Sequence, residues 1–546
     1  MSIYVNQSGY PVNSQKIAVS TAPCSFQVVR CEDHRCAYDG VSTAKGFDAS
    51  SGDDTYHIDF SELKEPGTYY ILSGKGEKSP SFTVDTNPYE KLKKDLMKAF
   101  YFQRCGVALT EEYAGAYTHA ACHTTPAIFL EDYQNKTENP KTFDMTGGWH
   151  DAGDYGRYST AAAVALGHLL YAYELFPENL QDHLNIPESG NGMPDILNEC
   201  LYELRWLLKM QAPDGGVYHK LTAFSHAPFL MPEDDHDPFL IYPVSSMAVA
   251  DFAAIMCVAS RVYAPFDASF AANAKEAACK SFEWLLANPY VGFHNPAGSN
   301  TGEYGDDCDK DERLWAAAEM LRTCDKYEKE ALAMLKENAG PEVSKTDFGW
   351  VDVSAFATLS ILTDAATKVP AELTELFRTA LFEGADKLVS VANESGYLLA
   401  MEPEDFVWGS NMVVCNRSML LALAAMLSEG EKDEIYNETA LSHLHYLMGR
   451  NALGISYVTG NGENAYKNPH NRPTATDDID LPMPGWVSGG PFKYFCDEAA
   501  LNLLEKGTPA MKCYVDDVGS YSTNEITIYW NSPAVFMCAY FESVNK

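Results

Sequence analysis

One stretch organises the chain, and it reads Gly147-Gly148-Trp149-His150-Asp151-Ala152-Gly153-Asp154-Tyr155-Gly156-Arg157. The paired glycines permit a tight turn, and an apolar run at helical spacing begins at Tyr158 and continues to Phe176. This pattern predicts that Asp151 and Asp154 lie at or just before a helix N-terminus, where their i,i+3 spacing puts both carboxylates on one face. The helix dipole would favour the ionised form that a general base requires, whereas the plainer alternative makes one of the pair an N-cap.

The composition bounds the fold and the class of partner. The chain has 546 residues, too many for one ordinary core, so we expect two or more domains. It is 46% apolar and 12% aromatic, which is typical of a well-packed globular protein. The formal net charge of −36 argues against nucleic acid and anionic membranes as partners, and a neutral or cationic substrate fits better.

The N-terminus and the cysteines predict the compartment. The first residues, Met1 to Asn6, have neither a basic region nor an apolar region of a signal peptide. We find no apolar stretch of 18 residues and therefore expect no membrane span. The 14 cysteines are scattered along a long chain, so we expect most of them to be reduced. These features predict a cytoplasmic protein, or a secreted one if a leader has been removed.

The hydrophobic periodicity divides the chain near Pro88. Residues 1–86 alternate in short runs separated by turn residues, which predicts a small β-sandwich with strands at 3–5, 16–20, 25–30, 55–60, 68–72 and 81–84. Beyond it the period is helical, with runs near 89–104, 158–177, 194–211, 244–262, 268–288, 311–323, 347–363, 370–392, 411–428, 433–449 and 531–544. Helices this numerous, without intervening strands, predict an all-α toroid or solenoid over residues 87–546.

Two long stretches, 105–150 and 450–530, resist a helical interpretation because they are rich in Gly, Pro, His, Asn and Asp. Loops of this length inside a compact domain are usually functional.

Motifs at 147–157, 214–220, 244–246, 311–317, 449–451, 469–472 and 522–526 extend over nearly the whole chain. Together they resemble glycoside hydrolase family 9, the cellulase family once called family E. The N-terminal segment Val5–Tyr10 resembles the start of the immunoglobulin-like module that precedes many members of that family. The resemblance implies such a module over residues 1–86, a six-hairpin (α/α)6 barrel over residues 87–546, and inverting hydrolysis of β-1,4-glycosidic bonds.

The resemblance also assigns catalytic roles. Inversion needs one carboxylate to activate water and one acid to protonate the leaving oxygen. By resemblance Asp154 is the base, Asp151 helps to hold the water, and Glu525 is the acid. From the pattern alone Ser522-x-x-Glu525 is equally well a capping box.

Substrate contacts are expected at a loop and at several aromatic residues. The family places His470 and Arg472 beside the sugar at the point of cleavage, and both side chains can donate to hydroxyl groups. The sequence departs from many cellulases by having Asn471 where they have a second histidine. Aromatic side chains that could stack on sugar rings, although any one of them is more often core, are Trp350, Trp408, Trp486 and Tyr521.

A zinc site is predicted at Cys105, Cys122, His123 and His150. Two sulfurs and two nitrogens suit a closed tetrahedral structural zinc, although the spacing is not that of a zinc finger. Relatives of this type carry such a zinc here, which would brace the loop that bears Asp151. The alternatives are unrelated buried thiols, or a disulfide between Cys105 and Cys122.

A calcium site is a second expectation. The oxygen-rich segment 306–312 resembles a family calcium loop, with candidate ligands Asp307, Asp311, Glu312 and Asp352. The alternative is a solvated acidic loop that caps the helix starting near Glu312. We expect no redox cofactor.

The sequence therefore predicts a two-domain, monomeric, endoglucanase-type hydrolase of soluble cellulose chains or cello-oligosaccharides. One alternative is an exo-β-D-glucosaminidase acting on chitosan oligosaccharides, since the acidic charge would suit a cationic substrate. A non-catalytic glycan-binding protein is disfavoured because Asp151, Asp154 and Glu525 are all retained.

Overall fold

The structure is a computed structural model that describes residues 1–364, 367–430 and 432–545. Its backbone contacts divide the chain into two compact units. The first unit comprises Met1–Ala99, Gly384–His470 and Asp480–Lys546, and the second comprises Phe100–Glu383 and Asn471–Ile479.

The N-terminal module, part of the first unit, consists of two antiparallel-rich sheets. The strands are β1 Ile3–Tyr4, β2 Gly9–Pro11, β3 Ile17–Ser20, β4 Ser25–Arg30, β5 Cys36–Val41, β6 Thr43–Asp48, β7 Asp53–Asp59, β8 Gly67–Ser73 and β9 Phe82–Asp85. The strand orders of the two sheets are β1-β3-β7-β6 and β2-β9-β8-β4-β5, and a shared core that includes Tyr10, Val28 and Phe60 fills the module. The predicted β-sandwich is confirmed, but three strands were missed, and two of these, β5 and β6, are largely exposed and lack apolar alternation.

Helices dominate the rest of the chain. All eleven predicted helical runs contain a helix, but 347–363 is helical only from Ser354. Glu328–Asn338 was missed, as were five helices of four to six residues within the stretches 105–150 and 450–530 that were interpreted as non-helical. The helices are α1 Glu90–Phe102, α2 Glu111–Ala114, α3 Leu130–Asn135, α4 Ser159–Leu175, α5 Asp195–Met210, α6 Ser246–Tyr263, α7 Ala268–Ala287, α8 Lys310–Thr323, α9 Glu328–Asn338, α10 Ser354–Thr363, α11 Ala371–Glu394, α12 Ser410–Leu427, α13 Asp433–Leu447, α14 Arg472–Thr476, α15 Glu498–Leu503, α16 Tyr521–Asn524 and α17 Ile528–Val544.

The expectation of no strands beyond Pro88 was wrong. The second unit contains a four-stranded sheet in the order β10-β13-β12-β11, formed by β10 Ile128–Phe129, β11 Arg157–Tyr158, β12 Lys220–Thr222 and β13 Leu240–Ile241. Strands of two or three residues that pair across such long separations leave no local period to detect.

This sheet also corrects the predicted position of the acid pair. Because Arg157 and Tyr158 pair with β12, helix α4 begins only at Ser159. Asp151 and Asp154 therefore lie in a loop, several residues before the first helical turn, and the predicted influence of the helix dipole on them is wrong.

Two helices contradict the expectation that no long apolar stretch exists. Ser246–Tyr263 and Ser410–Leu427 are long and apolar enough to cross a membrane by length and composition. In these helices 89% and 83% of the apolar window is buried inside the protein, which is typical of core helices.

The module packs closely within the first unit. The Asn6 amide bonds the ring of His445 at 2.9 Å, and the ring of Tyr10 lies 4.7 Å from the same histidine. Lys512 forms an ion pair with Asp53 at 2.6 Å. The module thus covers buried polar groups of this unit that would otherwise be exposed.

Candidate active site

The two acids of the Gly147–Arg157 loop are buried and have different partners. The carboxylate Oδ2 of Asp154 lies 2.6 Å from Nδ1 of His226, and its Oδ1 accepts a hydrogen bond from the Gly156 N–H at 3.3 Å. Asp151 accepts a 2.6 Å hydrogen bond from the hydroxyl of Tyr304. Its Oδ1 has no hydrogen-bond partner among the described residues. Asp154 therefore lies next to a basic side chain, whereas Asp151 accepts a hydrogen bond from a neutral hydroxyl group.

These environments move the two pKa values in opposite directions. Burial raises the pKa of Asp151 well above its usual value, and the charge of Asp154 adds to the rise, while the Tyr304 hydrogen bond opposes it. Burial also acts to raise the pKa of Asp154, but the charges of His226 and Arg472 and the hydrogen bonds outweigh it and leave that pKa well below the usual range. Neighbouring acids with divergent pKa values are typical of acid–base sites.

Arg472 donates hydrogen bonds to the loop that contains Asp151 and Asp154 and to the segment that contains His226. Its Nε donates to the carbonyl of Ala227 at 2.8 Å, and its Nη1 donates to the carbonyl of Gly153 at 2.9 Å. The guanidinium thus joins the segment of His226 to the loop of Asp154. The predicted contact of Arg472 with sugar remains a prediction. Asn471, the position that departs from the family pattern, caps α14 by accepting from the Thr474 N–H.

The four predicted zinc ligands come together next to the acid pair. The ligand atoms of Cys105, Cys122, His123 and His150 all lie within 4.8 Å of one another. The Nδ1 atom of His123 is 3.7 Å from the sulfur of Cys105 and 3.2 Å from Nε2 of His150. This is the only such group of three or more metal-binding side chains in the described residues. The donor set of two sulfurs and two imidazole nitrogens fits a tetrahedral zinc ion.

Two further features fit a metal site. The outer nitrogen of His123, Nε2, lies 3.2 Å from the carboxylate of Asp235, which is the second contact that metal-binding histidines usually make. Burial alone would raise the pKa of Cys105, but the Cys122 hydrogen bond and the charges of Arg157 and His150 outweigh it and favour the thiolate. All 14 cysteines are free thiols in the structure, so the alternative Cys105–Cys122 disulfide is not formed.

The predicted calcium ligands do not form a comparable group among the described residues. Asp311 instead accepts from the Val353 N–H at 2.9 Å, and Asp352 accepts from Ser354 at 2.7 Å. Burial raises the pKa of Asp311 to about 6 and raises that of Glu312 well above its usual value. Calcium at Asp307, Asp311, Glu312 and Asp352 therefore stays a prediction.

Glu525 lies in the first unit and is not part of a capping box. Helix α16 ends at Asn524, so Glu525 occupies its C-cap position. The hydroxyl of Ser522 donates to Asp497 instead of capping a helix. The Glu525 carbonyl accepts from the Gly489 N–H at 2.8 Å. The backbone of His470 forms a parallel β-bridge with that of Glu525. The carboxyl side chain is only half-buried, as a group that meets a substrate must be.

The aromatic candidates divide into exposed and buried ones. Trp408 and Tyr521 are 42% and 38% exposed, and their rings lie 5.5 Å apart in the first unit. Trp350 is half-buried and lies 5.1 Å from the ring of Tyr304 in the second unit. Trp486 is only 2% exposed, so of the two alternatives that the sequence left open, stacking platform or core, it is a core side chain.

Three residues of the second unit were missed by sequence reasoning: His226, Asp235 and Tyr304. Each belongs to a loop without a recognisable motif and reaches the site through the fold. For His226 and Asp235 the only available signal is that they lie in the Pro- and Asp-rich segment 226–238. For Tyr304 the sequence offers no such signal.

Comparison with known proteins assigns the chain to a class. Residues 89–538 match the family described as glycosyl hydrolase family 9, and residues 1–79 match the cellulase N-terminal ig-like domain. A cellodextrinase of Butyrivibrio fibrisolvens is 44% identical over 552 residues, covering 98% of each chain. AaCel9A, solved in complex with cellobiose-like isofagomine, superposes with a TM-score of 0.91 at 35% identity and covers 100% of each chain. A Zn-binding triple mutant of the family 9 endoglucanase J30 has a TM-score of 0.90 at 33% identity and covers 97% of this chain and 99% of that one.

The fold and these matches define an enzyme that hydrolyses glycosidic bonds. The chain belongs to glycosyl hydrolase family 9 and carries the N-terminal immunoglobulin-like domain that accompanies it. The resemblance noted from the motifs is confirmed. The predicted fold class, an N-terminal β-sandwich followed by a mostly helical catalytic domain of the (α/α)6-barrel type, is confirmed as well.

Proposed function

We propose that this protein is an inverting hydrolase of β-1,4-glucosidic bonds in cello-oligosaccharides and soluble cellulose chains. The relative from Butyrivibrio fibrisolvens, named a cellodextrinase, supports the substrate class. The relatives described above are cellulase-type enzymes and give no support to the chitosan alternative. The acid pair and the family membership argue against a non-catalytic binding protein.

The observation that carries the proposal is the divergence of the two buried carboxyl groups. Asp154, with its lowered pKa, is ionised at neutral pH and can take a proton from water. Asp151, with its raised pKa, has a free Oδ1 that can orient the same water by hydrogen bonding. Glu525 is assigned as the acid that protonates the leaving oxygen, by its place in the family motif.

We also propose that Cys105, Cys122, His123 and His150 hold a structural zinc ion. Four protein ligands leave no open position, so the metal would brace the loop rather than activate water. His150 directly precedes Asp151, and its N–H donates to the carbonyl of Gln103 at 2.7 Å. Elemental analysis of the untagged protein should give about one equivalent of zinc, and less than about half with all ligands intact would defeat this assignment.

The stereochemistry of the product tests the catalytic proposal. NMR of the nascent sugar from cellopentaose should show the α-anomer first, because water attacks the face opposite the leaving group. Early appearance of the β-anomer would indicate a covalent intermediate and retention. Product profiling on cellopentaose and chitopentaose in parallel separates glucose from glucosamine specificity.

For the cellular setting we propose a monomer in the cytoplasm. The free cysteines suit a reducing compartment. Cell fractionation with a periplasmic and a cytoplasmic marker checks the location, and light scattering checks the mass.

A further inference from the structure

A row of four aromatic rings in the first unit starts at Tyr521, four residues before Glu525 in the sequence. The ring of Tyr521 lies 5.5 Å from Trp408, Trp408 lies 6.1 Å from Phe492, and Phe492 lies 6.1 Å from Tyr494. Exposure is 38% at Tyr521, 42% at Trp408 and 59% at Tyr494, and Phe492 is half-buried. An aromatic side chain exposed to this degree is not packed in a core, so the outer end of the row requires another explanation.

The segment that carries the outer rings is fixed by its backbone. The Gly489 N–H bonds the Glu525 carbonyl at 2.8 Å. Three residues further on, the Phe492 N–H donates to the Cys513 carbonyl, and the Lys493 N–H donates to Phe406, both at 2.8 Å. These bonds hold the rings before any ligand arrives, which lowers the entropic cost of binding.

Lys493 adds a second constraint at the outer end of the row. Its ammonium group pairs with Glu404 at 2.7 Å and lies 5.6 Å from the centre of the Tyr494 ring. The cation thus lies next to the ring and limits its movement. The result is a row of exposed rings with charged groups at its outer end, where the Phe492 and Tyr494 planes meet at 71°.

The chemistry of this surface matches a β-linked glucan. In β-glucopyranose the hydroxyl groups are equatorial, so the two faces of each sugar present C–H groups that pack on aromatic rings, while the edges form hydrogen bonds. The planes of Tyr521 and Trp408 lie at 34° and those of Trp408 and Phe492 at 39°, so these rings offer such faces in succession, and the Tyr494 ring, turned by 71° from Phe492, borders the end of the row. A binding surface for a folded protein would require a larger apolar area than these few rings provide.

We propose that Phe492 and Tyr494 form a further glucan subsite that continues the surface of Trp408 and Tyr521. This inference rests on the proposed function. The subsite engages the sugar residues of longer chains that lie farther from the cleavage point, and so it raises the preference for long oligosaccharides over short ones.

The test is the dependence of kinetics on substrate length. For Tyr494→Ala we expect unchanged kcat/KM on cellotriose and a loss of about three- to tenfold on cellohexaose, carried mainly by KM. Tyr494→Phe retains the ring and should retain the preference. The control is Phe47→Ala, which removes a ring that is 67% exposed in the N-terminal module. This variant should leave kcat/KM unchanged on both cellotriose and cellohexaose.

The outcomes separate the two proposals. Equal losses on both substrates, or no loss on either, would overturn the subsite. If the wild-type protein hydrolyses neither oligosaccharide, the proposed function fails. Calorimetric titration of wild type and Tyr494→Ala with cellohexaose then still reports on the subsite, because binding needs no hydrolysis. Equal affinity of the two proteins in that titration would overturn it.

Discussion

The loop of Asp151 and Asp154 and the segment of Glu525 are built in opposite ways. The loop is buried, and it is held by Tyr304, Arg472 and the cysteine–histidine cluster. The Glu525 segment is half-exposed and is lined by exposed aromatic rings. A group that must activate one water needs a fixed, dry environment, whereas a group that must meet many leaving groups needs an open one. The following changes test this contrast, from the largest expected effect to the smallest.

Asp154→Ala should abolish most activity on every substrate, by about 10³-fold or more, because no other group then activates water. Steady-state kinetics on cellopentaose and on an aryl cellobioside check this. Rescue by added azide, an anionic nucleophile that attacks the anomeric carbon in place of water and needs no general base, would support the role of base and would give an α-glycosyl azide. Residual activity within about tenfold of wild type would contradict it.

Glu525→Gln should lose about 10²-fold or more on cello-oligosaccharides, whose leaving groups need a proton. The loss should be smaller on aryl glycosides with acidic phenols, which depart without protonation. A Brønsted plot over phenols of different pKa measures the difference. Equal losses across the series would assign Glu525 a purely structural role.

Deletion of residues 1–86 should lower the melting temperature and the yield, because it uncovers His445 and removes the ion pair of Asp53 with Lys512. Calorimetry measures the change. The matched variant Asn6→Ala removes the bond to His445 and the two bonds that the Asn6 Oδ1 accepts from the Ser8 and Gly9 N–H groups, and it should cost about 2–4 kcal/mol. A truncated protein that keeps its stability but loses affinity for glucan would show that the module binds substrate instead.

Cys122→Ser should lose the bound metal and lower stability and activity together, without changing the anomer of the product. Chelation of the wild type should do the same. Cys200→Ser is the control, since it also places a hydroxyl at a fully buried thiol position outside the cluster. Comparable loss in the two variants would assign the effect to packing rather than to a ligand.

Asp151→Asn and Asp154→Asn should change stability in opposite directions. The pKa of Asp151 is raised on folding, so its contribution to stability falls as pH rises above the unfolded value of about 3.9. The asparagine variant removes that loss and should melt about 1–2 °C higher at pH 7. The pKa of Asp154 is lowered, so it stabilises above the unfolded value and less as pH falls, and Asp154→Asn should melt lower. If the melting temperatures of the two variants shift in the same direction relative to the wild type between pH 4 and pH 7, the assignment of the two pKa directions is refuted.

Local patterns predicted the elements whose contacts are local. The long helices and most module strands follow from periodicity, and the grouping of Cys105, Cys122, His123 and His150 followed from the resemblance. The start of α4 was placed wrongly because Arg157 and Tyr158 pair with a strand more than 60 residues away. His226 and Tyr304 were missed for the same reason, since only the fold brings them to the acids.

The two ends of the acid loop are secured independently. The His150 N–H bonds Gln103 at one end, and Arg157 joins strand β12 at the other. Between them, the Asp151 N–H bonds the Gly156 carbonyl at 2.9 Å. Because both anchors are fixed, the number of residues between them is fixed too. An insertion or deletion in 151–156 would displace a carboxylate whatever its sequence, so directed evolution of this enzyme should vary the identity of nearby residues and leave this length alone.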